Sequence, residues 1–340
     1  MENTNKHKMI AETIKERYKT MSDNQNLYYY NDDGYFVRGE SKLLKYCGEI
    51  NATTHDLKEI THFIKAATQT NRSCFGLKEG FLNLRNGVLD IRKMVLLPHD
   101  PKYCFLNRLE IQYAVEATCP MWDMVLERVP DVKLLQKWFA YHLLSGQMHK
   151  KSMFMVGKTD SGRSLILNVL ESFVGRENVT NFQFRQFAHS ESHAVIGLYG
   201  KLSNIHPDLS YSQINDASDF KAIVGGDTVT SREHYKEPIS FKVDAKLTFA
   251  TNKLPWLGEN LIDDEAFWNR IILMKFPNSI SKEEQIPNLG TQISVREMSG
   301  VLNWAIKAYD TVIIEGFPIT DFMTTRMQWL DISSHFCSTV

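Results

Sequence analysis

The sequence predicts an α/β protein built round a phosphate-binding loop, with a small mixed α+β domain before it and a helical segment after it. Three observations carry that prediction. Gly157 to Ser164 reads Gly-Lys-Thr-Asp-Ser-Gly-Arg-Ser, which matches G-x-x-x-x-G-K-[ST] everywhere except at Arg163. The apolar run Met153 to Val156 precedes it and the amphipathic stretch Leu165 to Phe173 follows it, giving the strand, loop and helix that such a loop requires. Downstream, strand-like and helix-like segments alternate as far as Phe276.

Taken in order, Lys8 to Met21 carries a charged helical pattern, and Tyr28 to Tyr30 followed by the turn-like Asn31 to Gly34 predicts a hairpin. Lys42 to Ile50 and Asp56 to Thr68 read as helices. Leu82 to Ile91 alternates around Asn86-Gly87, a second hairpin signal, and Pro98 and Pro101 break regular structure again after it. Trp122 to Val129 and Val132 to Leu144 have helical spacing, which places a domain boundary between 120 and 150. Leu198 to Ile205 predicts a strand, Gln213 to Val224 a helix, Val229 to Val243 a hairpin, and Lys246 to Thr251 and Ile271 to Phe276 two further strands. Val295 to Tyr309 and Asp321 to Phe336 are helical in pattern. The predicted domains are an N-terminal α+β domain over 1–120, a helical connector over 121–150, the nucleotide-binding domain over 151–280 and a helical segment over 281–340.

Composition narrows the class. A chain of 340 residues, 43% hydrophobic, is long enough to bury two or three cores. It has no apolar run of transmembrane length and no signal-peptide core at its N-terminus, which predicts a cytoplasmic protein with no membrane partner. Cys47, Cys74, Cys104, Cys119 and Cys337 show no C-x-x-C or Cys/His ligand spacing, so they read as reduced thiols and not as zinc ligands. A net charge of −1 supplies no global basic field. Any nucleic-acid contact must then come from a local patch, or from a few basic residues repeated around an oligomer.

The loop chemistry follows from its residues. Gly157 and Gly162 let the backbone of Lys158, Thr159, Asp160 and Ser161 turn its N–H groups toward phosphates at a helix N-terminus, and the Ser164 hydroxyl is the expected Mg2+ ligand. Arg163 keeps the charge of the missing lysine without its compact shape, so nucleotide binding is expected to tolerate the change better than hydrolysis. Lys158 has two readings, a substitute for that lysine or an exposed, solvated side chain.

Taken together, the segments resemble the ATPase core of the superfamily 3 helicases, within the phage, plasmid and poxvirus primase-helicase family. The resemblance rests on Asn86 to Asp90 with Pro98 to Pro101, the phosphate loop, Leu198 to Leu202, Phe220 to Val229, Phe249 to Pro255, Trp268 to Arg270 before Phe276, and Ser299 to Trp304, and it covers the chain from about residue 25 to 330. It implies an AAA+ fold, ATP and Mg2+ as cofactors, a hexameric ring, and single-stranded or forked DNA as partner, with a primase or another replication protein as a further one. It further implies Asp208 as the acidic residue that binds Mg2+ or polarises water, Asn252 as the polar sensor of the γ-phosphate, and Arg270 as an arginine reaching a neighbouring subunit's nucleotide. DNA contact is implied for the Val229 to Val243 hairpin, through Arg232, His234 and Lys236 with Tyr235 beside them, and more weakly for Lys221.

Bland alternatives stand beside each role: a loop or capping aspartate, a turn asparagine, a surface arginine and solvated hairpin charges. The chain departs from the family pattern in lacking a second acidic residue beside Asp208 and in having Asn269 where a basic pair is common. Nothing before residue 150 shows a carboxylate cluster or zinc spacing of a primase centre, and no winged-helix segment follows, which fits a standalone helicase or a fragment of a larger protein. The expected function is an ATP-dependent DNA helicase or translocase in replication of a phage, plasmid, virus or other mobile element. Its rivals are a degenerate ATPase serving as a DNA- or nucleotide-binding scaffold without turnover, and a small-molecule kinase using the same loop.

Overall fold

The computed structural model describes residues 2–23, 25–188, 192–210, 212–232, 237–318 and 321–334. The chain divides into two units, Met1–Arg108 and Leu109–Val340.

In the first unit, helix α1 (Glu2–Tyr18) leads into a three-stranded antiparallel sheet of β1 (Met21–Ser22), β2 (Leu27–Tyr30) and β3 (Phe36–Arg38). The predicted hairpin is present, with Tyr29 opposite Val37. The first helix starts at Glu2, ahead of the predicted Lys8, and ends at Tyr18, short of the predicted Met21, because Lys19 takes a left-handed φ of 46° and Met21 already pairs with Tyr28. Helices α2 (Ser41–Glu49) and α3 (Thr54–Ala67) follow, the latter opened by a reciprocal cap between Thr53 and Asp56. Ile14, Leu27, Leu43, Ile60 and Ile64 form the core between these elements. A second antiparallel sheet joins β4 (Phe81–Leu84), β5 (Gly87–Asp90) and β6 (Val95–Leu97), with the Asn86-Gly87 turn where the alternation places it.

The second unit starts with α4 (Pro120–Leu126) and α5 (Val132–Tyr141). The sequence makes 121–150 a connector, yet here these helices belong to the core. Trp122, Trp138 and Phe139 are fully buried, the Trp138 indole donates to Thr248 Oγ1 (3.0 Å), and the Glu297 carboxylate accepts the backbone N–H groups of Met121 and Trp122 (3.0 Å each). A helical apolar stripe shows that a helix packs on something, and only the fold shows on what.

The chain then runs through β7 (Ser152–Gly157), α6 (Arg163–Val174), β8 (Val179–Thr180), α7 (Phe184–Ala188), α8 (Ser192–Gly197), β9 (Ser203–His206), α9 (Ser218–Gly225), β10 (Val229–Ser231), β11 (Ile239–Phe241), β12 (Lys246–Thr251), α10 (Glu259–Ile262), α11 (Glu265–Trp268) and β13 (Ile271–Phe276). Helices α12 (Leu289–Arg296), α13 (Met298–Ile306), α14 (Tyr309–Glu315) and α15 (Phe322–Ser334) complete it. Five strands form one parallel sheet in the order β13-β7-β12-β9-β8. Phe154, Phe249, Phe184, Phe220, Phe267 and Trp329 build the aromatic centre of the core that includes this sheet.

Three further elements differ from the sequence pattern. Leu198 to Lys201 is a turn after α8, with Gly200 at φ 71°, so the strand begins only at Ser203. Ile214 forms an isolated parallel bridge with Leu257, so the helix begins at Ser218. The pattern from Val295 to Tyr309 spans parts of three helices, broken at Glu297, whose φ of −120° and capping bonds to α4 take it out of the helical path. The last helix covers Phe322–Ser334, and the remainder of its predicted span reaches residues outside those described.

His142, at the end of α5, is fully buried, with Nδ1 donating to the Trp138 carbonyl (2.8 Å) and Nε2 3.0 Å from Ser203 Oγ. Burial pushes its pKa down to about 3, against an unfolded value near 6.5. Its contribution is therefore complete above pH 6.5 and is lost as pH falls toward 3. We expect stability in urea to fall by about 2 kcal/mol between pH 7 and pH 5 from this group. The fall should shrink in His142→Gln, and an unchanged pH slope in that variant would contradict the assignment.

Candidate nucleotide-binding site

Parallel pairing brings the ends of four strands to one edge. Gly157 lies opposite Phe276, Val156 opposite Thr251, and Phe249 opposite His206. The residues that follow these strands are the phosphate loop after β7, Asn252 after β12 and Asp208 two residues beyond β9. All lie along the carboxyl edge, where open parallel sheets bind ligands.

The loop has its shape for local reasons. A Cβ on Gly157 would sit 2.2 Å from the Phe276 carbonyl oxygen, so only glycine allows β13 this close. Asp160 and Gly162 take left-handed φ values of 59° and 87°, and the turn ends where α6 begins at Arg163. From outside, Ile280 donates its N–H to the Asp160 carbonyl (2.7 Å) and Ser279 its hydroxyl to the Thr159 carbonyl (2.8 Å). Lys158, Thr159, Asp160 and Ser164 are exposed, while Ser161 and Arg163 are buried. The first turn of α6 has N–H groups with no helical acceptor, at the positive end of the helix dipole.

The loop lines a cavity of about 500 Å³ together with Asp208 and Asn252. The lining also includes the apolar Met124, Val125, Val129, Ile280, Ile286 and Leu289 and the polar Arg128, Glu284 and Gln285. N–H donors on the loop and apolar surface in one cavity suit a phosphorylated molecule carrying a flat ring. Except for Ile280, these apolar residues come from segments that the sequence assigns to a connector and a C-terminal segment, and no local motif marks them.

Arg163 does not point freely into this space. Its Nε donates to Ser161 Oγ (3.0 Å), Nη1 to the Thr251 carbonyl, and Nη2 to the Lys158 carbonyl (3.1 Å) and to Asn252 Oδ1. Burial pulls its pKa down and the charge of Asp208 pulls the other way. Burial likewise pulls down the pKa of His206, before Asp208, and the charge of that carboxylate pulls the other way. Ser164 and Asp208 could share a divalent cation. Among the described residues no three His, Cys, Asp or Glu side chains gather to hold a metal, so phosphate oxygens and water would complete its shell.

The remaining candidates lie elsewhere. Arg270 precedes β13 and sits at the opposite edge, six strand residues or about 20 Å from the phosphate loop of its own chain. Its Nε donates to the Lys221 carbonyl (3.0 Å) and Nη1 to the Ala266 carbonyl. The Lys221 ammonium is 2.6 Å from Asp264. The hairpin is formed, with Val229 opposite Phe241, and Arg232 is exposed beside it. His234, Tyr235 and Lys236 lie outside the described residues. No described helix is long and apolar enough to cross a membrane.

Comparison with known proteins adds independent findings. Residues 11–130 match a family profile described as D5 N terminal like, and residues 155–270 match one described as a family of unknown function, DUF5906. The chain is 23% identical over 199 residues to the helicase-named protein V13 of Sputnik virophage, across 52% of this chain and 25% of that one. It is 37% identical over 65 residues to the helicase-named protein L207/L206 of Acanthamoeba polyphaga mimivirus, across 19% of this chain and 6% of that one. The alignments thus span a quarter or less of these relatives. An apo structure of the NrS-1 C-terminal region superimposes with a TM-score of 0.56 at 12% identity, over 92% of this chain and 70% of that chain. A second, covering residues 305–718, gives 0.55 at 11% identity over 92% and 71%. At such identities the likeness is one of fold.

Gly157→Ala must move either the loop or β13, because the blocking atom is backbone. We expect it to lower unfolding free energy by about 1–3 kcal/mol, measured by urea denaturation. Wild-type stability would contradict the close approach.

Proposed function

We propose that this chain, a member of the phage and viral primase-helicase family, is the motor segment of an ATP-dependent replication helicase. The observation that carries this reading is the arrangement of the site. The phosphate loop, Asn252 and Asp208 share one sheet edge, and the strand of Asn252 lies between those of the other two. That order also supports an AAA+ core.

In this reading, the loop N–H groups and the α6 N-terminus bind the β and γ phosphates of ATP. Ser164 and Asp208 hold Mg2+, which when bound neutralises phosphate charge. Asp208 also polarises the attacking water, and the Asn252 carboxamide orients it toward the γ-phosphate. Arg270 sits too far from its own loop for any arginine side chain to reach it. Its place at the opposite edge suits service to a neighbouring subunit's nucleotide in a ring, where its fixed charge offsets charge developing in transfer. The β10–β11 hairpin, with Arg232 beside it, grips single-stranded or forked DNA, and a primase or another replication protein would act beside the ring.

A second reading, a ring or scaffold that binds nucleotide or DNA without turnover, is favoured by one observation. Most N–H donors of Arg163 are engaged by protein acceptors and not held ready for phosphate.

Asp208→Asn and Arg270→Ala should each lower ATP turnover, the latter by roughly 10³-fold or more if it acts as an arginine finger. Mixed, they should restore part of the activity, since a site with Asp208 from one subunit and Arg270 from the other is intact. Failure of the mixture to exceed either variant alone would reject a shared site.

A further inference from the structure

Arg163 has a donor count that bears on how the site switches. A guanidinium offers five N–H groups in a fixed plane. Four are assigned within the protein, to Ser161 Oγ, the carbonyls of Thr251 and Lys158, and Asn252 Oδ1, which leaves one on Nη1. Every one of these acceptors is uncharged. A terminal phosphate is a stronger acceptor for a cation than an amide oxygen, because both partners are then charged.

The four acceptors are not equally fixed. Thr251 and Lys158 offer backbone carbonyls, the first at the end of a central strand and the second within the clasped loop. Ser161 is buried beneath the guanidinium. Asn252 is exposed to the cavity and bonds through a side chain free to rotate. Asn252 is therefore the partner that a phosphate displaces at least cost.

We infer that Arg163 is a positioning residue that holds Asn252 in the nucleotide-free site and exchanges it for the terminal phosphate of a bound nucleoside triphosphate. The carboxamide becomes available to the attacking water only when the triphosphate is in place. This rests on the nucleotide-site reading above and goes beyond it in coupling site filling to release of the sensor. A lysine could not do this in the same way, since its single ammonium has three donors at one point and no planar fork to span loop, strand end and carboxamide together.

The test is a double-variant cycle on the full chain. Affinity is measured with a fluorescent, non-hydrolysable ATP analogue and with ADP, alongside turnover, for the wild type, Asn252→Ala, Arg163→Lys and the double variant, each checked for cooperative unfolding. Removing the competing acceptor should tighten analogue binding about five-fold, the equivalent of one hydrogen bond of about 1 kcal/mol. ADP binding should change much less and kcat should fall. In the Arg163→Lys background, Asn252→Ala should give no tightening. Analogue binding that is unchanged or weaker in Asn252→Ala, with wild-type binding intact, overturns the exchange alone. Absence of nucleotide binding in the folded wild type overturns the nucleotide-site reading and the exchange with it.

Discussion

The parallel pairing of β7, with β12 on one side and β13 on the other, is the constraint on which the site depends. It fixes the loop and Asn252 at one edge and Arg270 at the other, and the pairing of β12 with β9 adds Asp208 to the first. It also demands Gly157, because β13 ends with its Phe276 carbonyl pressed against that position. No side chain in the site needs to travel far to meet its partners. The separation of Arg270 from its own loop follows from the same pairing.

Burial around this sheet supplies the rigidity. Phe154 and Phe249 lie with ring centroids 5.0 Å apart on neighbouring strands, and Trp329 packs at 5.0 Å against Phe154. Beneath them, His142, Ser203 and Lys246 form a polar layer in which the Lys246 ammonium donates to the carbonyls of Leu144, Gly146 and Asp244. A buried cation held by carbonyls costs desolvation, and its hydrogen bonds set where the α5–β7 connection must sit. This polar layer thus ties the starts of β9 and β12 to the connection that leads into β7.

Legibility followed the range of the interactions. β12 and β13 appear with the bounds read from the sequence, since Leu247, Phe249 and Ala250 in one and Ile271 to Met274 in the other give a strong local strand signal. The Asn86-Gly87 hairpin was equally plain, because its signal lies within two residues. Where a distant partner decides, the sequence was silent. Glu297 breaks a helical pattern by capping α4, and Ile214 leaves a helical one to pair with Leu257. In the site, the loop was readable as a motif. The acceptors of Arg163 were not, because one is the Thr251 carbonyl, brought there by sheet order alone, and part of the cavity lining is drawn from α4 and the segment near Ile286.

The most direct test of a nucleotide site shared between subunits is steady-state ATP hydrolysis over a range of protein concentrations, with and without single-stranded DNA. Shared sites predict turnover per subunit that rises with concentration, as they assemble, and rises further with DNA. Turnover per subunit independent of both, or none at all in protein that binds DNA, would contradict them.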